Sequence, residues 1–148
     1  MLKTESVSYI NSLAKMLSSF ASATGSSVIA AEAYGKKNYL TEFVSRYEIP
    51  AEKLALVPSE EKLSELLKRW FCGEGKSSGK DRLLARCFVW QLRRGFGEPK
   101  SVYVLGDDRS VLQDLSSAED GAPHYAVEDL MFAVYPEGTL CFLLGHSE

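Results

Sequence analysis

Residues 130–144, LMFAVYPEGTLCFLL, decide how this chain is read. Leu130 to Tyr135 and Thr139 to Leu144 are apolar runs of strand length, and the Pro136-Glu137-Gly138 connection between them suits a β-hairpin. The spacing predicts a three-residue loop in which Gly138 supplies a positive φ. Phe132 and Val134 alternate with Met131, Ala133 and Tyr135, while Leu140, Phe142 and Leu144 alternate with Cys141 and Leu143. Both alternating sets are apolar, so the hairpin needs cover on both faces. It is expected at the centre of a sheet, or with its second face in a dimer interface.

Upstream, Val102 to Leu105 reads as a strand and Gly106-Asp107-Asp108 as a turn. Val111 to Leu115 fits either a returning strand or a short helix, and Ser116 to Pro123 is a loop. Before Pro99 the apolar period becomes 3.6. Val7, Ile10, Leu13, Ala14, Leu17 and Phe20 predict a helix over 5–22, and Tyr39, Leu40, Phe43, Val44 and Tyr47 a second one bounded by Pro50. Ser59, Glu60 and Glu61 suit the start of a helix over 60–72, with Leu63, Leu66, Leu67, Trp70 and Phe71 on its apolar side. Leu83, Leu84, Cys87, Phe88, Gln91 and Leu92 trace another over 81–94, ended by Gly95; these two helices are expected to pair antiparallel. Val28 to Ala31 is read as a strand, although a helix also fits it. The fold class that results is α+β, one domain, with a helical N-terminal half packed on a small, mostly antiparallel C-terminal sheet.

Composition agrees with a self-sufficient globular domain: 148 residues, 45% hydrophobic and 25% charged. Three cysteines, Cys72, Cys87 and Cys141, are an odd number in or beside apolar runs, which suits free thiols in a reducing, cytoplasmic setting better than a disulfide framework. Asn11, Ser12 and Lys15 interrupt what would be the apolar centre of a secretory signal. No run reaches the roughly 20 apolar residues of a membrane helix, so no membrane partner is expected.

Charge is sorted along the chain. Residues 62–100 hold ten Lys/Arg against four Asp/Glu, and residues 101–148 hold one Lys/Arg against nine Asp/Glu, segments of +6 and −8. Such asymmetry speaks to partners rather than to fold. The basic stretch includes Arg82, Arg86, Arg93 and Arg94, of which Arg82, Arg86 and Arg93 fall on nearly one helical face and suit phosphates. An acidic total, with a pI near 5.5, and the absence of a helix-turn-helix, RNA-recognition or zinc-finger signature weigh against dedicated nucleic-acid binding. The acidic third offers Asp107, Asp108, Asp114, Glu119, Asp120, Glu128 and Asp129, which either pair with the basic helices or form an anionic face that steers a cationic protein. Tyr34, Tyr39, Tyr47, Tyr103, Tyr125 and Tyr135 exceed the expected need for core phenols and are read as interface material.

Chemistry-bearing motifs are incomplete. Gly73 to Lys80 (GEGKSSGK) resembles a phosphate loop in composition, but its register would require glycine at Trp70, and Asp81 follows Gly79-Lys80 where Ser or Thr is needed. Gly106-Asp107-Asp108 has oxygen ligands for a divalent ion, yet aspartate is an ordinary turn residue. Two histidines, His124 and His146, and three scattered cysteines lack zinc spacing. His146 is expected to fray, and Cys87 and Cys141 to be buried and inert, leaving Cys72 as the more exposed thiol.

These readings converge on a non-enzymatic, cytoplasmic protein-binding module of the inhibitor, immunity-protein or chaperone/adaptor kind. It would use Asp107, Asp108, Asp114, Glu128 and Asp129 on a cationic protein, with a homodimer open to it and with no cofactor or metal. A nucleic-acid-associated regulator binding anions through Arg82, Arg86, Arg93 and Arg94 comes second. A small enzyme using Cys72 or the Asp107/Asp108 pair comes third.

Overall fold

The computed structural model describes residues 2–20, 27–72, 79–116 and 125–147. Five helices, α1 (Thr4–Phe20), α2 (Tyr39–Tyr47), α3 (Leu63–Cys72), α4 (Gly79–Phe96) and α5 (Val111–Leu115), accompany five strands. The strands are β1 (Ser27–Tyr34), β2 (Leu56–Pro58), β3 (Ser101–Leu105), β4 (Tyr125–Tyr135) and β5 (Gly138–Ser147). They form one antiparallel sheet in the order β1-β5-β4-β3-β2. The class is α+β, with most helices in the N-terminal half and the central strands at the C-terminus.

The hairpin is central, as its two apolar faces demand. Met131 lies opposite Phe142, and Ala133 opposite Leu140, on a face covered by α1, α3 and α4; this core includes Ile10, Leu67, Phe71, Phe88 and Leu92. Phe132 opposite Cys141 and Leu130 opposite Leu143 occupy the other face, covered by Phe43 of α2 and Val111 of α5. Helices thus seal both sides of β4 and β5, and the sheet needs no second copy for cover. The connection between them differs from the predicted loop. Pro136-Glu137 forms a two-residue turn and Gly138 pairs with Tyr135, so Gly138 has no positive φ to supply. It is glycine for space: a Cβ there would stand 3.0 Å from the Tyr34 carbonyl oxygen and 3.1 Å from Leu2 Cγ.

Both edge strands come from the N-terminal half, and each is blunted. β2 is three residues long and ends in Pro58, which has no N–H to offer a further strand. β1 is longer, and Asn11 of α1 attends to it: its Nδ2 donates to the Ala31 carbonyl (2.8 Å) and its Oδ1 accepts from the Ala31 N–H (2.6 Å). One amide side chain thereby satisfies both backbone groups of an edge residue, as a neighbouring strand would.

Local start and stop signals are shifted from expectation. Ser59 Oγ accepts from the Glu61 N–H (3.1 Å), making a turn before α3 rather than capping it, and Lys62 O receives the first helical N–H of Leu66 (3.1 Å). α4 runs through Gly95 and stops at Gly97, whose φ of 79° is left-handed and whose N–H reaches Arg93 O at 2.7 Å. Val111 to Leu115 is helix, resolving the alternative left open by sequence.

α2 is fixed by a polar network on the second face. Glu32 of β1 accepts from the Tyr34 hydroxyl (2.5 Å) and the Tyr47 hydroxyl (2.5 Å), and pairs with Arg46 (3.3 Å), whose guanidinium also lies 4.8 Å from the Tyr34 ring centroid. Burial first, then the hydrogen bonds to Glu32, push both phenols far above the ordinary tyrosine value. The tyrosines are therefore largely structural, against the expectation of an interface. Tyr34 and Tyr135 are buried, and Tyr39, Tyr47 and Tyr103 pack half-buried on the second core. The side chain of Tyr125 lies outside the described residues.

Candidate functional site

The acidic residues do converge. The β3–α5 loop brings Asp107 and Asp108 to one end of the sheet, α5 brings Asp114, and a bulge between Val127 and Asp129 in β4 sets Glu128 and Asp129 beside them. The Ser116 hydroxyl, 2.8 Å from the Val127 N–H and 2.7 Å from Leu112 O, pins the end of α5 to the bulge. Arg109 then closes the cluster, donating from Nη2 to Asp129 Oδ1 (2.9 Å) and to Glu128 O (3.2 Å), while Lys53 pairs with Asp114 at 3.0 Å. The Ser110 N–H, 3.0 Å from Asp108 Oδ1, holds that exposed carboxyl below the usual range.

Pairing with the basic helices, one of the two readings open from sequence, is not what these ion pairs show. Asp114 and Asp129 pair with Lys53 and Arg109 and not with the basic helices, because α3 and α4 cover the opposite face of the sheet from α5. Among the described residues no His/Cys/Asp/Glu group has a metal-holding arrangement. Glu119, Asp120 and His124 lie outside the described residues, as does the phosphate-loop-like segment except Gly79 and Lys80.

The basic residues fall into three settings. Arg82 and Arg86 of α4 face Lys68 and Arg69 of α3 across an open cleft. Arg93 pairs with Glu98 just beyond the end of its helix. Arg94 lies over the Trp90 ring, 5.4 Å from its centroid.

One feature escaped the sequence reading. α4 buries Ala85, Phe88, Val89 and Leu92, but a second apolar stripe, Leu83, Cys87 and Trp90 at i, i+4 and i+7, faces outward. Leu83 is 64% exposed and Trp90 56%. Cys87, expected to be buried, is an exposed free thiol, whereas Cys141 is buried and its thiol pushed up by burial. The side chain of Cys72 lies outside the described residues. α1 runs beside α4, and its Tyr9 lines a groove of about 340 Å³ with Gln91 and Arg94; Met16 is a second exposed apolar residue on α1. Leu83 and Cys87 were legible as apolar positions but were read with the core stripe, and Trp90 was not assigned to a face.

Two further groups lie at the ends of these elements. Tyr135, in the wall of a cavity of about 330 Å³ between Leu2, Lys3 and Phe96, has a buried hydroxyl without a hydrogen-bond partner among the described residues. The backbone of His146 is paired in β5 with Ser27 and Ala126, so this part of the chain is ordered strand and not a frayed end; its side chain lies outside the described residues. No helix among the described residues is long and apolar enough to cross a membrane.

No protein-family model, curated protein or solved structure matches the chain. Function must be read from the surface itself.

Proposed function

We propose that the protein is a non-enzymatic binding module that docks another protein on the outward face of α4. The observation that carries this reading is the pair Trp90 and Leu83, more than half exposed on a helix whose other side already supplies the core. Tryptophan and arginine dominate the energetics of protein interfaces, and here Trp90 is overlain by Arg94 and flanked on the same helix by Arg82, Arg86 and Arg93. The charge selects the partner. Two copies meeting symmetrically through this face would oppose arginine to arginine, whereas a partner with an apolar groove rimmed by carboxylates satisfies both parts.

Capture with the full chain as bait tests this. A protein retained by wild type and lost from the Trp90→Ser and Leu83→Ser baits, then shown to bind in purified form with the same dependence, supports the reading. Retention indifferent to both substitutions overturns it.

A second reading is favoured by the convergence of Asp107, Asp108, Asp114, Glu128 and Asp129 from three separate elements, with Lys53 and Arg109 as counter-charges. In it, the acidic end steers a cationic partner. Charged residues are depleted from interface cores, so this end would set association rate more than affinity. Reversing Asp107, Asp108, Glu128 and Asp129 to lysine should then slow association sharply at low salt. An unchanged rate removes the acidic end from the account.

A further inference from the structure

Two helix ends of opposite polarity meet at the cavity beside the hairpin turn. α1 begins there, next to Lys3, and α4 ends there, at Gly95 and Phe96, while Tyr135 and Glu137 close the third side of a space of about 330 Å³. The Lys3 carbonyl accepts the Val7 N–H at 3.2 Å, which puts Lys3 where Ser, Thr, Asp or Asn usually accepts from a first-turn amide. Lysine has no acceptor to offer, so the amides at the positive end of α1 keep no side-chain cap of their own. Across the cavity, the last carbonyls of α4 form the negative end of its dipole, and Glu137 adds a carboxylate. Lys3 and Glu137 have no ionic partner among the described residues. The neighbouring charges add no excess of either sign. Glu5 and Arg94, in the adjoining groove, are one of each, and Glu98, the carboxylate felt by Tyr135, is paired with Arg93.

We infer that this cavity binds a free α-amino acid with an apolar side chain. The ligand carboxylate meets Lys3 and the first turn of α1, and its ammonium meets Glu137 and the carbonyl end of α4. A ligand with one charge leaves one of these poles unmet; a zwitterion answers both. The side chain lies against Leu2, Phe96 and Pro136, a wall that an inorganic ion would leave uncovered. Tyr135 stands in the same wall, 1% exposed, its ring 5.9 Å from that of Phe96 and its hydroxyl without a partner among the described residues. A buried phenol in that condition gains by donating to a ligand oxygen. The volume is near the lower end of the roughly 300–1,000 Å³ usual for small-molecule pockets, in keeping with a ligand of this size.

Calorimetric titration of the full chain with L-phenylalanine and L-leucine tests the assignment, beside 3-phenylpropionate, 2-phenylethylamine and glycine, which lack the ammonium, the carboxylate and the side chain. At least one of the two amino acids should bind a single site, about tenfold more tightly than any of the three analogues. Lys3→Gln should weaken that amino acid about tenfold and leave 2-phenylethylamine unchanged. Glu137→Gln should weaken it by a similar factor and leave 3-phenylpropionate unchanged. Trp90→Ser and Arg86→Gln, both outside the cavity, should bind as wild type, even where protein docking is lost. Any of three results overturns the inference: no saturable binding of either amino acid, 3-phenylpropionate or 2-phenylethylamine binding as tightly as phenylalanine, or a loss in Arg86→Gln equal to that in Lys3→Gln.

Discussion

Replacing Asn11 by alanine is the sharpest test of how this sheet is bounded. β1 has β5 on one side and no strand on the other, and the Asn11 amide takes both the N–H and the C=O of Ala31, at 2.6 and 2.8 Å. In Asn11→Ala these two backbone groups lose their partners in a half-buried place under α1. A net hydrogen bond contributes about 0.5–1.5 kcal/mol, and an orphaned buried group costs about 1–3 kcal/mol; with water reaching part of the site, the two together should cost about 2 kcal/mol. Urea unfolding followed by circular dichroism should show the midpoint falling by about 1 M with an unchanged slope. Asn11→Asp should do no better, since a carboxylate still accepts from the Ala31 N–H but confronts the Ala31 carbonyl with another acceptor. The alanine variant should also self-associate with rising concentration, because a bare edge strand is a template for pairing. A loss below about 0.5 kcal/mol in Asn11→Ala, or full stability in Asn11→Asp, would refute the claim that this side chain stands in for a sixth strand.

Three further outcomes are expected. Phe142→Ala removes a fully buried ring from the central strand and should cost about 3–5 kcal/mol in the same unfolding assay; a cost near 1 kcal/mol would mean the first core is loosely packed. Gly138→Ala forces a Cβ against the Tyr34 carbonyl and Leu2, at 3.0 and 3.1 Å, and should cost about 1–3 kcal/mol, whereas a neutral result would show that the turn shifts freely. Stability should fall on the alkaline side. Burial, and for Tyr34 the bonds to Glu32 as well, hold the phenols of Tyr34 and Tyr135 protonated well above the ordinary value of 10.0. These groups ionise near pH 10 once unfolded, so their contribution is complete below that pH. It is lost above it by up to about 1.4 kcal/mol per pH unit for each tyrosine. Denaturant midpoints that stay level from about pH 9 to about pH 11 would refute this.

The hairpin was legible because two alternating apolar sets leave a strand no wet face; the pattern left a central position and a dimer interface both open, and the helices on both faces decide for the first. The helices were legible where one stripe was apolar, as in α1 and α3. β2 was not: three residues ending in proline carry no period, and Leu56-Val57-Pro58 becomes a strand only because β3 lies beside it. The tyrosines misled for a related reason. Tyr34 and Tyr47 look amphipathic in sequence, but Glu32 lies within their reach only after α2 folds onto β1 and gives both hydroxyls an acceptor inside the fold.

α4 shows most clearly where one-dimensional reading stops. Its sequence holds two apolar stripes, and one of them, Leu83, Cys87 and Trp90, is left outside. The core takes Ala85, Phe88, Val89 and Leu92, because α3 and α1 pack along that side of α4. Close approach is a property of the assembled layers, invisible in any single helix. The same layering keeps the charges apart. α3 and α4 cover one face of the sheet, α5 packs on the other, and the carboxylates at its end find Lys53 and Arg109 before they find the basic helices. Among the described residues, the cations of α3 and α4 and the carboxylates around α5 therefore lie on different faces of the sheet. A charged partner approaching such a distribution meets a torque before it meets a contact, so under the docking proposed for α4 charge would set the orientation of approach as well as its rate.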